Sequence, residues 1–187
     1  MLDNIKPFKL KFIQKAPPRE RDAFDFLLIY KFHTGRTDNY QSLKYIIRVE
    51  AYDDVFAIKF YAARDRKLDN RYNRIIKAHG YKGTLGIFFT CASVIPSLIE
   101  KYPKCSFVVN GAESMDMESD KIEGRSNNQR FRIYRAMALN LFGRELFEHI
   151  EYENVSSYIL VNRKGCSDVK EKSESIKNMF FDRGFDI

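Results

Sequence analysis

The stretch Arg125-Ser-Asn-Asn-Gln-Arg-Phe-Arg-Ile-Tyr-Arg135 carries the most specific chemical pattern in the chain. Ser126 followed by Gln129 fits a capping box, the reciprocal side-chain and backbone pairing that opens a helix. Arg130 and Arg132 then fall in the first turns, where the macrodipole is positive and a cation is poorly placed unless an anion offsets it. Backbone N–H groups at a helix start are free donors. Arg125, Ser126, Asn127 and Arg130 therefore form a candidate site for a phosphate or carboxylate. The acidic segment just upstream, with Glu113, Asp116, Glu118, Asp120 and Glu123, competes for the same arginines. Residues two apart on a helix diverge by about 200°. Only one of Arg130 and Arg132 can then face the helix start, and Arg130, one turn before Tyr134, is the better placed.

A second basic region holds Arg64, Arg66, Lys67, Arg71, Arg74, Lys77 and Lys82, with Tyr72, His79 and Tyr81 among them. Cations interleaved with aromatics suit backbone contacts and base stacking on a nucleic acid. The same pattern also occurs on solvated surfaces. His33, His79 and His149 are far apart, and Cys91, Cys105 and Cys166 form no C-x-x-C pair, so no metal site is expected. There is no nucleophile elbow and no phosphate-binding G-K-[ST] ending; Gly80, Gly83 and Gly86 read as a loop reversing the chain.

Elements of the right size must position these residues. The chain has 187 residues, enough for one domain with a sizeable core. Hydrophobic residues make up 44%, which excludes a globally disordered chain. The 32 Lys and Arg against 25 Asp and Glu give a net charge of +7, which favours anionic partners. An odd cysteine count argues against a disulfide framework and for a reducing, cytoplasmic setting. No signal-peptide pattern opens the chain and no run reaches the roughly 20 apolar residues of a membrane span, so no membrane partner is expected.

Alternation predicts strands at 24–33, 43–51 and 55–62, the last two as a hairpin, after a Lys-guarded edge strand around Phe8, Leu10 and Phe12 that Pro17-Pro18 ends. A weaker strand pattern runs from Arg71 to Ile76. Helical spacing spans Thr84 to Lys101, with Pro96 as a point of kinking or breaking. A buried strand at 105–110 and an exposed acidic loop at 112–124 follow. The helix from Ser126 to Leu141 is expected to turn Phe131, Tyr134, Ala138 and Leu141 to the core. Strands at 147–152 and 157–162 and a terminal helix capped by Asp168 complete the order. The fold class is α+β: a largely antiparallel mixed sheet with two or three packed helices. Residues 1–163 form one domain and 164–187 a C-terminal helical extension.

From about residue 43 to 163 this order of elements resembles the GNAT (Gcn5-related N-acetyltransferase) fold. One motif carries the likeness: the family's N-x-x-A-x-x-x-Y-x-x-x-G-F is similar to Asn127-x-x-Arg130-x-x-x-Tyr134-x-x-x-Ala138-Leu139 here. The resemblance implies that acetyl-coenzyme A binds in a V-shaped gap between two splayed strands. It also implies that Tyr134 is the catalytic acid for the departing thiolate, with one of Glu50, Asp53 or Asp54 as base. The family's pyrophosphate loop, [Q/R]-x-x-G-x-[G/A], has no counterpart at 80–86, so coenzyme A is expected to bind weakly or not at all. Phe107 to Tyr134 is also similar to small bacterial proteins of a domain-of-unknown-function family, which implies no activity. The leading expectation is a cytoplasmic, non-catalytic binding module for an anionic ligand or a protein partner. The alternatives are a divergent acyltransferase and a nucleic-acid-binding accessory protein.

Overall fold

The computed structural model describes residues 5–36, 41–74, 80–116 and 121–185. Seven strands form one sheet in the order β1-β2-β3-β4-β5-β7-β6. They are β1 (Lys11–Ala16), β2 (Phe26–His33), β3 (Lys44–Tyr52), β4 (Val55–Ala62), β5 (Ser106–Asn110), β6 (Phe147–Tyr152) and β7 (Ser157–Asn162). The helices are α1 (Gly80–Ala92), α2 (Val94–Lys101), α3 (Gln129–Leu141) and α4 (Val169–Asp182). Neighbouring strands are antiparallel except β4 and β5, which run parallel and need the α1–α2 crossover between them. The class is α+β, as the alternation and helical spacing predict.

Period-two alternation splits the strands between two cores. Phe32 of β2, Ile47 and Val49 of β3 and Phe56 of β4 face α1, α2 and α3, which contribute Cys91, Leu98 and Phe131. On the other face Tyr52, Ala57, Val108 and Ile159 are covered by Ile176 and Phe180 of α4. Each large apolar side chain buried in this way stabilises the fold by about 1.5–3 kcal/mol. Helix α4, in the C-terminal segment, thus closes the second core. The Asp168 carboxylate caps α4 by accepting from Lys170 N (2.7 Å) and Glu171 N (3.0 Å). Lys172 ties the helix to Asp54 at 2.7 Å.

Several sequence expectations are corrected. Gly80, Gly83 and Gly86 lie inside α1, not in a loop. Glycine costs a helix interior about 1 kcal/mol, and at Gly86 the missing side chain admits Phe8: a Cβ there would sit 3.1 Å from the Phe8 ring. Phe8 N also donates to Thr90 Oγ1 (2.8 Å), so Phe8 and Leu10 pack on the core before β1 begins at Lys11. The single helix expected over 84–101 is two, broken at Ser93; Pro96 sits in the first turn of α2, where its missing N–H is not needed. Gly80–Lys101 is long and apolar enough to cross a membrane by length and composition, contrary to the expectation of no such run, and half of it is buried inside the fold. Arg71–Asn73 is a turn rather than a strand, Arg74 makes an isolated bridge to Met115, and Ile75 and Ile76 lie outside the described residues.

Candidate functional site

The parallel pairing of β4 with β5 is brief. It runs through Val55↔Ser106, Phe56↔Phe107 and Ala57↔Val108 and then stops. Beyond that point β4 stays paired with β3 as far as Ala62, and β5 stays paired with β7 as far as Asn110. The two strands therefore diverge as a fork, each held by its other neighbour, with the facing backbone edges unpaired. A cavity of about 170 Å³ fills the fork. Ile58, Phe60 and Tyr134 line it from the α1–α3 side, and Ala57, Lys59 and Phe180 from the α4 side, so it passes through the sheet. Its lining holds two cations, Lys59 and Arg130, and no carboxylate.

Tyr134 projects from the second turn of α3 into the fork and also lines an apolar cavity of about 40 Å³ behind it, beside Phe88, Cys91 and Met137. Its ring lies 5.2 Å from that of Phe88. Among the described residues its hydroxyl has no hydrogen-bond partner. Burial raises its pKa by penalising the phenolate, against a smaller opposing effect of Arg130, so the phenol keeps its proton well above neutral pH.

Arg130 is a part-buried cation held by neutral groups. Nη1 donates to the carbonyl of Tyr72 and Nη2 to that of Arg74 at 3.0 Å, and the guanidinium lies 5.9 Å over the Phe60 ring. Burial lowers its pKa, with Tyr134, Tyr45 and Glu123 acting in the opposite direction. Two of its five N–H donors are used in these bonds, and no carboxylate lies within ion-pair distance among the described residues.

The helix-start site is not assembled as the sequence suggests. The cap of α3 is Asn128, not Ser126: its Oδ1 accepts from Phe131 N (3.0 Å) and its Nδ2 donates to Gly111 O (2.5 Å). Asn127 adopts a left-handed backbone (φ 46°) that turns the chain into the helix, and its N–H donates to Glu153 O (2.8 Å). Glu123 occupies the helix start, its Oε1 accepting from Gln129 N (2.5 Å) and lying 3.9 Å from Arg132 Nη2. Arg132, rather than Arg130, thus faces the acidic loop. Ser126 is exposed, and Arg125, also exposed, gives its carbonyl to Ser156 Oγ (2.6 Å). Of the expected anion-site residues, Arg130 lines the fork cavity, and Arg125, Ser126 and Asn127 do not. Leu141, expected to face the core, is exposed as the last residue of α3.

The basic stretch is divided. Arg74 and, at 4.0 Å, Arg64 pair with the buried Asp65 carboxylate. Arg66 and Lys67 are exposed beside β4, Lys82 is exposed on α1, and Lys77 lies outside the described residues. Arg71 stacks on Tyr72 (4.7 Å) and Tyr61 (5.7 Å). Of the candidate bases, Asp53 and Asp54 lie in the β3–β4 turn, at the closed end of the fork, where Asp54 holds Lys172. Glu50 is buried and accepts from Lys59 Nζ (2.6 Å), Tyr52 Oη (3.1 Å) and Arg48 Nη2 (3.3 Å). Lys59 and Tyr52 line the fork, so Glu50 is the one candidate connected to it. Sequence reasoning missed Lys59 and Phe60, which read as ordinary strand residues; only the ending of the β4–β5 ladder gives them a role.

Among the described residues no cluster of three potential metal ligands occurs. No family model, curated protein or solved structure matches the chain.

Proposed function

We propose that the fork binds the acyl-thioester arm of a coenzyme A-type carrier, and that Tyr134 serves acyl transfer as the proton donor. The single observation that carries this reading is the cavity running through the sheet where β4 and β5 part, with the Tyr134 phenol on its wall. Unpaired strand edges offer amide N–H and C=O groups to an amide-bearing chain, as an added strand would. The cavity is smaller than the roughly 300 Å³ at which pockets for drug-sized ligands begin. It suits an extended arm, with the nucleotide outside it. Thioester chemistry would come from the carrier and the acyl acceptor would be a primary amine, whose nitrogen bonds to the acyl carbon as the C–S bond breaks; the chain's part is to hold the arm, exclude water with Phe60, Phe180 and Phe185, and give the Tyr134 proton to the departing sulfur, the amine's released proton restoring the phenol. Arg130 and Lys59 stabilise negative charge as it develops in the fork.

A second reading, anionic ligand binding without catalysis, draws on Glu50. Glu50 is engaged by Lys59, Tyr52 and Arg48, Asp54 by Lys172, and Asp53 lies in the turn at the closed end, so none of the three candidates is a free base facing the fork. Calorimetry with acetyl-coenzyme A, on the wild type and on Ala112→Trp, which fills the fork mouth, tests the binding. Heat of binding lost in the variant supports the proposal, and none from either protein overturns it. Release of free thiol from acetyl-coenzyme A in the presence of a primary amine such as a polyamine, reduced at least tenfold by Tyr134→Phe with binding retained, separates transfer from binding alone.

A further inference from the structure

Helix α4 covers only part of its face of the sheet. Across β1–β4 the same face remains an open groove of about 660 Å³. Its floor is aliphatic, with Ile13, Ile29 and Ile46 on neighbouring strands, and its rim carries Arg19, Lys44, Arg48, Arg66 and Arg71. Asp22 is the one carboxylate in the lining, and it accepts from the backbone N–H of Arg19 at 2.9 Å. Arg48 is paired with Glu50 at 3.3 Å, whereas Arg19, Lys44, Arg66 and Arg71 have no ion pair among the described residues.

Strand register extends the charge. Lys31 follows Ile29 by two residues and so shares its face, directly opposite Lys11. Basic side chains set across from one another repel and bring the sheet no stability. Some cations elsewhere are paired, as Arg64 and Arg74 are with Asp65 and Lys172 with Asp54, whereas these converge on one groove. A row of uncompensated cations over an apolar floor is an arrangement for something anionic.

We infer that this groove binds the sugar–phosphate backbone of a single-stranded nucleic acid. The four strands span three inter-strand spacings, about 14 Å at roughly 4.8 Å each. That accommodates a few nucleotides and falls well short of the roughly 34 Å of a duplex turn. At one end Arg71 rests against the edge-to-face pair Tyr61 and Tyr72, a cationic and aromatic border against which a base can lie. The apolar floor offers no donor or acceptor to base edges, and Gln14 is the one neutral amide side chain in the lining, so binding depends little on sequence. The inference stands apart from the acyl-carrier reading: the groove lies on one face of β1–β4, and its lining shares no residue with that of the fork.

The test is fluorescence anisotropy with a labelled 12-nucleotide single strand of mixed sequence, with the wild type, Lys44→Glu/Arg66→Glu and a control of equal charge change, Lys121→Glu/Arg144→Glu, all checked for folding by circular dichroism. For about four phosphate contacts at a slope near −0.7 each, affinity falls about 50-fold between 50 and 200 mM salt. The groove variant loses tenfold or more and has a shallower salt slope, while the control stays within about threefold. No salt-dependent binding, or equal losses in the two variants, overturns the inference. An acidic peptide of equal charge that displaces the oligonucleotide at or below the oligonucleotide's own Kd also overturns it, and assigns the groove to a protein partner.

Discussion

Replacing Asn128 by Ala removes the residue that fixes where α3 begins and hence where Arg130 and Tyr134 point. Two interactions are lost together. The cap to Phe131 N is worth about 1 kcal/mol. The Nδ2 bond to Gly111 O adds the cost of an unpaired buried carbonyl, about 1–3 kcal/mol, because Gly111 and Asn128 are both buried and water cannot take over. The sum is about 3 kcal/mol. At about 2–4 °C per kcal/mol for a chain of this size, the melting temperature falls by about 6–12 °C. Ser126→Ala, at the position the sequence pattern names as the cap, should change stability by no more than about 0.5 kcal/mol, since Ser126 is exposed. Equilibrium urea unfolding followed by circular dichroism gives both values. A cost below about 1 kcal/mol for Asn128→Ala, or a larger one for Ser126→Ala, refutes the assignment of the cap and with it the placement of the fork residues.

Three further outcomes follow from single contacts. His149 Nδ1 lies 2.7 Å from Tyr158 Oη and Nε2 3.0 Å from Phe142 O, and burial lowers its pKa below the unfolded value of 6.5. The neutral ring then stabilises the fold fully above pH 6.5, a contribution lost as pH falls through the folded pKa; His149→Gln should flatten stability against pH in that window, as read by urea melts from pH 7 to 4.5. Gly165→Ala should cost about 1–3 kcal/mol in the same assay, because the new methyl meets the Lys104 carbonyl and backbone must move. Lys172→Met should cost about 1 kcal/mol or less, since Asp54 is 41% exposed, and the loss should shrink in 0.5 M salt.

How far the sequence was legible depends on the range of the interaction responsible. The β3–β4 hairpin, β5, the α4 cap at Asp168 and the α+β class follow from local alternation and capping chemistry, and all are present. The cap of α3 was misplaced by two residues because Ser126 and Asn128 are both good caps, and the choice was made by Gly111, 17 positions upstream. The glycines of α1 read as a loop because nothing nearby reveals that Phe8 needs the space. The GNAT resemblance points to Tyr134, which lines the fork, whereas no local pattern reveals the partners of Arg130, because the Tyr72 and Arg74 carbonyls lie more than 50 residues away. The fork itself has no sequence signature. It arises where a ladder stops.

Fork and groove owe their shapes to the same connection. A parallel β4–β5 pair obliges the chain to leave the end of β4, cross the sheet and return, and α1 and α2 make that crossing on one face only. The other face receives its cover from α4, whose Ile176 and Phe180 reach Tyr52, Ala57 and Val108. That leaves β1 and the outer half of β2 and β3 without a helix. The segment leaving β4 lies where these regions meet: Tyr61 and Arg71 border the groove, Tyr72 borders the fork, and the Arg71 guanidinium stacks on both rings. Arg130 secures the segment from below by donating to the Tyr72 and Arg74 carbonyls. A part-buried guanidinium is expensive to desolvate, and two neutral carbonyls offset that cost less fully than a carboxylate would. Its placement is therefore poor as pure scaffolding. It becomes economical if negative charge enters the fork, because the same side chain then fixes the wall of the cavity and supplies its positive potential.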